Sequence, residues 1–179
     1  MNQSLRYISI SHKTASVKQR EVFHIPLEKK SDYTQILCNT FPDIDGLLLL
    51  TTCNRTEIYF ETRTHSATSI RDYLIDLKLP KSSSIDKNLF EFSDSTESTV
   101  KHLLEVSSGL ESSVLGDSEI IHQIKKSYQF SMTHKLQGSL LERAIQSVFK
   151  SHKRISNETN FRDGTTSVAY KSLKVIQNK

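Results

Sequence analysis

Thr52-Cys53-Asn54-Arg55-Thr56-Glu57 sets a thiol, a guanidinium two residues on and a carboxylate four residues on within one short segment. A cysteine attacks as its thiolate, and a neighbouring cation lowers the pKa of the thiol. Arg55 can supply that charge, and its planar fork can also grip a carboxylate through two parallel hydrogen bonds. The same residues admit plainer readings. Cys53 can be a small buried hydrophobe, and Arg55 a surface cation paired with Glu57 or Glu61.

The segment directly follows Leu47-Leu48-Leu49-Leu50, opened by Gly46, and such an apolar run reads as a buried strand. The thiol therefore stands where a strand leaves the core. Arg6 to Ile10 alternates polar and apolar residues and predicts a first strand. Ser16-Val17-Lys18-Gln19 has the form of a capping box opening a short helix, and Lys30 to Phe41 reads as a second helical piece. After the Asp43-Ile44-Asp45-Gly46 turn comes the Leu47–Thr51 strand. Glu57 to Thr62, rich in β-branched and aromatic residues, is a third strand. Ser69 to Leu79 carries Ile70, Tyr73, Leu74 and Leu77 at helical spacing, and Leu89 to Phe92 is a short fourth strand. The order β-α-β-β-α-β predicts an α+β fold, a ferredoxin-like sandwich over residues 1–94. Residues 95–160 read as a group of helices: Ser95–Ser108, a loop Leu110–Leu115 between Gly109 and Gly116, Glu119–His134 and Leu140–Asn157. Residues 161–179 read as the start of a connecting helix, cut in mid-element.

Composition narrows the class. A chain of 179 residues with 36% hydrophobic content favours one compact core with some exposed helix over two full cores. No apolar run approaches the ~20 residues of a membrane span, and the N-terminus lacks the basic and apolar regions of a secretory signal. The two cysteines, Cys38 and Cys53, form no C-x-x-C and have no paired histidine spacing, which disfavours both a disulfide framework and a metal site. The expectation is a reduced, cytoplasmic protein with no membrane attachment. Between Ile121 and Arg154, seven basic residues stand against Glu142 alone, leaving +6 in a largely helical region. That is either a solvated helix surface or the footprint of a phosphate backbone.

The stretch Thr52–Tyr59 resembles the T-C-N-R-T-E-[IV]-Y active-site segment of glutamyl-tRNA reductase. Ser11-His12-Lys13-Thr14-Ala15 is similar to the N-H-K-T-A-P segment of that family. His102 through Gln123 is similar to its H-L-x-x-V-x-S-G-L-D-S-x-V-x-G-E-x-x-I-x-x-Q block. The three follow in order at matching spacing, and the likeness covers nearly the whole chain. It implies a catalytic domain whose cysteine, here Cys53, attacks the ester of glutamyl-tRNA. The thioester so formed is reduced with NADPH to glutamate-1-semialdehyde, supplying tetrapyrrole synthesis. The resemblance casts His102 as the activity-critical histidine, where a bare reading has a structural histidine on an apolar-faced helix. It places Thr52, Asn54, Arg55, Ser112, Asp117, Ser118, Glu119 and Gln123 around the substrate. It also implies a homodimeric full-length enzyme and a downstream aminomutase as partner.

The family's usual G-E-P-Q-I is Gly116-Asp117-Ser118-Glu119-Ile120 here. Asp117 keeps the charge on a shorter arm, and Ser118 is able to cap the following helix. Glu119 replaces a glutamine that both donates and accepts by a group that only accepts when ionised. It suits the substrate's α-ammonium and would repel its γ-carboxylate. No G-x-G-x-x-G occurs among the five glycines, so the NADPH-binding domain is expected beyond Lys179. Two other readings stay open. One is a non-catalytic ferredoxin-like RNA-binding module stacking bases on Tyr7 and Tyr59, although Glu57–Glu61 lacks the aromatic signature of such sheets. The other is a protein-interaction domain using the C-terminal helix.

Overall fold

The computed structural model describes residues 2–80 and 85–161; the expected connecting helix and the Ser82–Ser84 loop lie outside them. Four antiparallel strands, β1 (Ser4–Ser11), β2 (Gly46–Thr51), β3 (Arg55–Thr62) and β4 (Glu91–Ser93), form one sheet in the order β2-β3-β1-β4. Between β1 and β2 run α1 (Val17–Phe23), a 3-10 turn at Leu27–Lys29 and α2 (Lys30–Thr40). Between β3 and β4 runs α3 (Ala67–Lys78), followed after β4 by α4 (Thr96–Ser108), α5 (Glu119–Thr133) and α6 (Ser139–Glu158).

The side-chain period of two along each strand decides the layering. Ile8, Ile10, Leu47, Leu49, Ile58 and Phe60 face Phe23, Leu37, Ile70 and Leu74 of α1–α3. Leu5, Tyr7, Leu48, Leu50 and Tyr59 face Leu103, Ile124, Leu141 and Ile145 of α4–α6. The single core expected from composition is thus two, one on each side of a sheet buried on both faces. That explains the unbroken Leu47–Leu50 run, since a strand covered on both sides does not alternate. Tyr7 is 9% exposed and Tyr59 fully buried, both beneath the C-terminal helices. The base-stacking sheet required by the RNA-binding alternative does not exist on this face.

Boundaries differ where local polar chemistry decides them. β3 begins at Arg55, two residues earlier than β-propensity suggests, because Arg55 pairs with Ser11 of β1. Leu89 belongs to a 3-10 turn capped by Asp86, whose side chain accepts from Asn88 N, so β4 starts later. Ser118 makes no capping bond to α5; Asp117 Oδ1 accepts from Glu119 N at 3.0 Å instead.

One contact anchors the second layer. Glu61 is fully buried on β3 and accepts from Ser139 Oγ, Leu140 N and Leu141 N at 2.9–3.1 Å. A strand carboxylate thereby satisfies orphan N–H groups at the start of α6. Gly138 is required beside it: its φ is +52°, and a Cβ there would meet Glu61 Oε2 and approach Gly46 Cα to 2.8 Å. Glu61→Ala is expected to lower unfolding stability by about 2–4 kcal/mol in urea titrations. A loss within error of zero would remove Glu61 as the anchor of α6.

Candidate active site

The thiol sits at the tip of the β2–β3 hairpin. Thr51 still pairs with Thr56, and the turn is closed by Thr52 N donating to Arg55 O at 2.8 Å. Thr52 Oγ1 accepts from Asn54 N and Arg55 N at 3.1 and 3.2 Å, a hydroxyl turn of the kind threonine favours. Cys53 is exposed at its apex. Cys38, on α2, is half-buried, and burial raises its thiol pKa.

Arg55 begins the outgoing strand and is 3% exposed. A buried guanidinium needs acceptors, and it has two: Glu57 Oε1 at 2.9 Å and the carbonyl of Glu111. Glu57 is fully buried and acts as a hub. Oε1 also accepts from Ser9 Oγ at 2.9 Å and meets His102 Nε2 at 3.2 Å, while Oε2 accepts from Tyr59 Oη at 2.7 Å. An ionised carboxylate only accepts, so Nε2 of His102 carries the proton in this contact. Tyr7 stacks on the imidazole at 4.1 Å between ring centroids, fixing its plane.

Burial by itself would raise the Glu57 pKa, but the bond from His102, the Arg55 charge and the Tyr59 hydroxyl outweigh it and hold it at about 2. Burial and the same carboxylate push Tyr59 well up, so its hydroxyl remains a donor. The folded-state pKa of Glu57 lies below its ordinary 4.5, so its contribution is complete above that pH and fades as pH falls toward 2. The stability difference between wild type and Glu57→Gln is expected to shrink as urea titrations move from pH 6 to pH 3. A difference that stays constant would mean that Glu57 is not ionised in the fold.

The three sequence segments that stand apart in the chain meet here. His12 N donates to Asn54 O at 2.9 Å, and Lys13 pairs with Glu111 at 2.6 Å. Asn54 Nδ2 donates to Ser113 Oγ at 3.0 Å. The 109–117 loop is itself closed by Gly116 N donating to Gly109 O, with Gly109 at φ +82° ending α4. Thr52, Cys53, Asn54, Arg55, Ser112, Asp117 and Gln123 all line one depression between the hairpin tip and α5. Cys53 and Arg55 also line a second one, of about 340 Å³, with Arg20 of α1 and His24 just after that helix.

Three expected residues are not among those lining either depression. His102 lies behind Arg55, joined to it through Glu57. Ser118 is exposed, and Glu119 is exposed with its carboxylate 3.8 Å from His122. Sequence reasoning missed Glu57 as a hub, although its place two residues after Arg55 on one strand put both on the same face. It missed His24 too, which no motif marks. His12 lies close by, with Nδ1 buried and without a hydrogen-bond partner among the described residues. Burial, then the charges of Arg55, Arg20 and Lys13, pushes its pKa down, so it stays neutral at pH 7.

Residues 8–159 match the family described as Glutamyl-tRNAGlu reductase, N-terminal domain. The chain belongs to this family. A glutamyl-tRNA reductase of Cytophaga hutchinsonii is 34% identical over 99% of this chain and 41% of that protein. One of Prochlorococcus marinus is 32% identical over 96% of this chain and 39% of its own length. The solved glutamyl-tRNA reductase of Methanopyrus kandleri superposes with a TM-score of 0.69 at 27% identity, covering 88% of this chain and 35% of that one. The chain thus spans about two fifths of the length of the curated relatives it matches. Within this family's N-terminal domain, the three sequence segments that carry the resemblance are the ones packed around Cys53.

Proposed function

We propose that this chain carries the acyl-transfer step of a glutamyl-tRNA reductase. The sulfur of Cys53 attacks the ester carbonyl of glutamyl-tRNA, the carbon–oxygen bond to the ribose breaks, and the departing alkoxide takes up a proton. The product is a glutamyl thioester on Cys53 and free tRNA. Covalent catalysis of this kind splits one hard step into two. Arg55 binds the γ-carboxylate of the glutamyl group, and Glu57, with His102 and Tyr59 behind it, holds the guanidinium in the depression that Cys53 also lines. Ser112, Asp117 and Gln123 close the substrate site. The observation that carries this reading is an exposed thiol sharing a depression with an arginine whose counter-charge is fully buried.

In a full-length enzyme of this family, NADPH held outside the described residues would supply the hydride that takes the thioester to glutamate-1-semialdehyde for tetrapyrrole synthesis. The described residues do not fit that dinucleotide. Such a site needs a glycine-rich turn from strand into helix, and Gly46, Gly109, Gly116 and Gly138 are scattered over a strand start and three loop positions. The chemistry assigned to this chain therefore ends at the thioester. The strand order and the placement of α1–α3 support the ferredoxin-like reading of residues 1–94, with residues 95–160 completing the site. Lys125, Lys126, Lys135, Arg143, Lys150, Lys153 and Arg154 are exposed on and around α5 and α6, which supports tRNA as the macromolecular substrate. A homodimer and transfer of the aldehyde to an aminomutase are proposals for the full-length enzyme. No helix among the described residues is long and apolar enough to cross a membrane.

Incubation with glutamyl-tRNA, proteolysis and mass spectrometry test the proposal. A glutamyl adduct is expected on the peptide containing Cys53. An adduct on Cys38, or on neither cysteine, would refute it.

A further inference from the structure

Lys30 is the first residue of α2 and only 7% exposed. Its Nζ donates to Ser127 Oγ at 3.0 Å and lies 5.0 Å from the centre of the Phe130 ring. Among the described residues no carboxylate pairs with it: Asp32, on the same helix, pairs with Lys29 at the surface. The site is a poor one for a cation. A buried charge without a counter-charge is costly, and the helix dipole puts its positive end at the N-terminus of α2. Burial lowers the Lys30 pKa to about 8, which still leaves the amine mostly charged at pH 7. One hydroxyl and an aromatic face do not satisfy three ammonium donors, and an anion would supply both the missing acceptor and the missing counter-charge.

The space for that anion is a depression of about 300 Å³ lined by Lys30, Lys126, Ser127, Phe130, Ile25 and Leu27, among others. No acidic side chain lines it among the described residues. Lys30 and Lys126 make its lining cationic, and Leu27, an apolar side chain left 81% exposed, lines it as well. Amines beside an apolar face suit a nucleotide, whose phosphate seeks the amine and whose base seeks an apolar face. Thr51 and Gln123 also line it. Gln123 borders the Cys53 depression as well, and Thr51 is only two residues from the thiol, which limits their separation to roughly 7 Å of chain.

We propose that this depression holds the 3′-terminal nucleotide of the aminoacylated tRNA, with Lys30 and Lys126 on its 5′ phosphate. The identity of the ligand rests on the thioester chemistry proposed for Cys53. In an aminoacyl-tRNA that phosphate is separated from the esterified hydroxyl by one ribose, a short span of the kind that the chain limit between Thr51, in the lining of this depression, and Cys53 allows. The subsite makes the terminal nucleotide, and not only the glutamyl group, part of what positions the carbonyl.

Two small esters test this: 3′-O-glutamyl-adenosine and its 5′-monophosphate. Wild type is expected to acylate Cys53 about tenfold faster with the phosphorylated ester at sub-saturating concentration, the worth of a charge-assisted hydrogen bond. Lys30→Met keeps the length of the stem, removes the charge and is expected to bring the two esters to the same rate. Lys126→Gln, at an exposed position that tolerates change, gives a smaller loss of the same sign and carries the test should Lys30→Met not fold. No preference in wild type, or an undiminished preference in both variants, would overturn the proposal.

Calorimetry with adenosine 5′-monophosphate reads the pocket independently of the thiol. Binding weakened about tenfold by Lys30→Met, with no adduct from either ester, would uphold the subsite and refute the thioester. Inorganic phosphate binding as tightly as the nucleotide would instead make this a free-anion site and overturn the nucleotide assignment.

Discussion

Cys53→Ser is expected to lower acylation by glutamyl-tRNA by roughly three orders of magnitude or more, while Cys38→Ser leaves the adduct in place. A hydroxyl is a far weaker nucleophile than a thiol unless a base is in contact with it. The thiol of Cys53 is exposed at the apex of a hairpin turn. Cys38 is half-buried against the first core, and burial raises its pKa, which lowers its thiolate fraction at neutral pH. The turn is held by the Thr52 hydroxyl and by backbone bonds, none of which involves the Cys53 side chain. Thermal melting of Cys53→Ser is therefore expected to match wild type, so that lost acylation reports chemistry and not unfolding. An adduct that survives in Cys53→Ser and disappears in Cys38→Ser would reverse the assignment.

The parts of the fold that were legible in the sequence are those set by period and punctuation. Leu47–Leu50 announced a buried strand, though not that it is covered on both faces, and Ile70, Leu74 and their neighbours announced the buried face of α3. What the sequence concealed is polar. Glu57 and Glu61 occupy inward positions on β3, where pattern rules expect apolar side chains. Arg55 stands two residues from Glu57, but their other partners, His102 and the start of α6, come from 45 to 80 residues away, so no local window contains the whole reason for them. The same holds for the site. Cys53 and Arg55 could be singled out from their own segment, whereas Ser112, Asp117 and Gln123 gained a place only through resemblance. Lys30 gave no signal at all, because a lysine near the start of a helix is ordinary until its burial is known.

Arg55 and Glu57 form one buried ion pair, yet removing either is expected to have opposite consequences. Glu57 is the acceptor for Ser9, Arg55, His102 and Tyr59 together. Glu57→Leu strands Ser9, His102 and Tyr59 and leaves a buried guanidinium with the Glu111 carbonyl but without its carboxylate, so it is expected to cost roughly 3–5 kcal/mol of stability. Arg55→Met removes one donor of four. Glu57 keeps the other three, and the loss is expected to be about 1–2 kcal/mol. Function follows the other order. Arg55→Met is expected to abolish selective acylation in a protein that still folds. Arg55→Lys keeps the charge but not the planar fork, and is expected to lose discrimination between glutamyl-tRNA and glutaminyl-tRNA by roughly a hundredfold. Urea titrations and acylation rates on the three variants separate the roles. Equal stability losses at the two positions would refute Glu57 as the hub, and unchanged discrimination in Arg55→Lys would refute Arg55 as the carboxylate clamp. Under the proposed function, the carboxylate of Glu57 belongs to the scaffold and the guanidinium of Arg55 to the substrate, with a 2.9 Å contact joining the two.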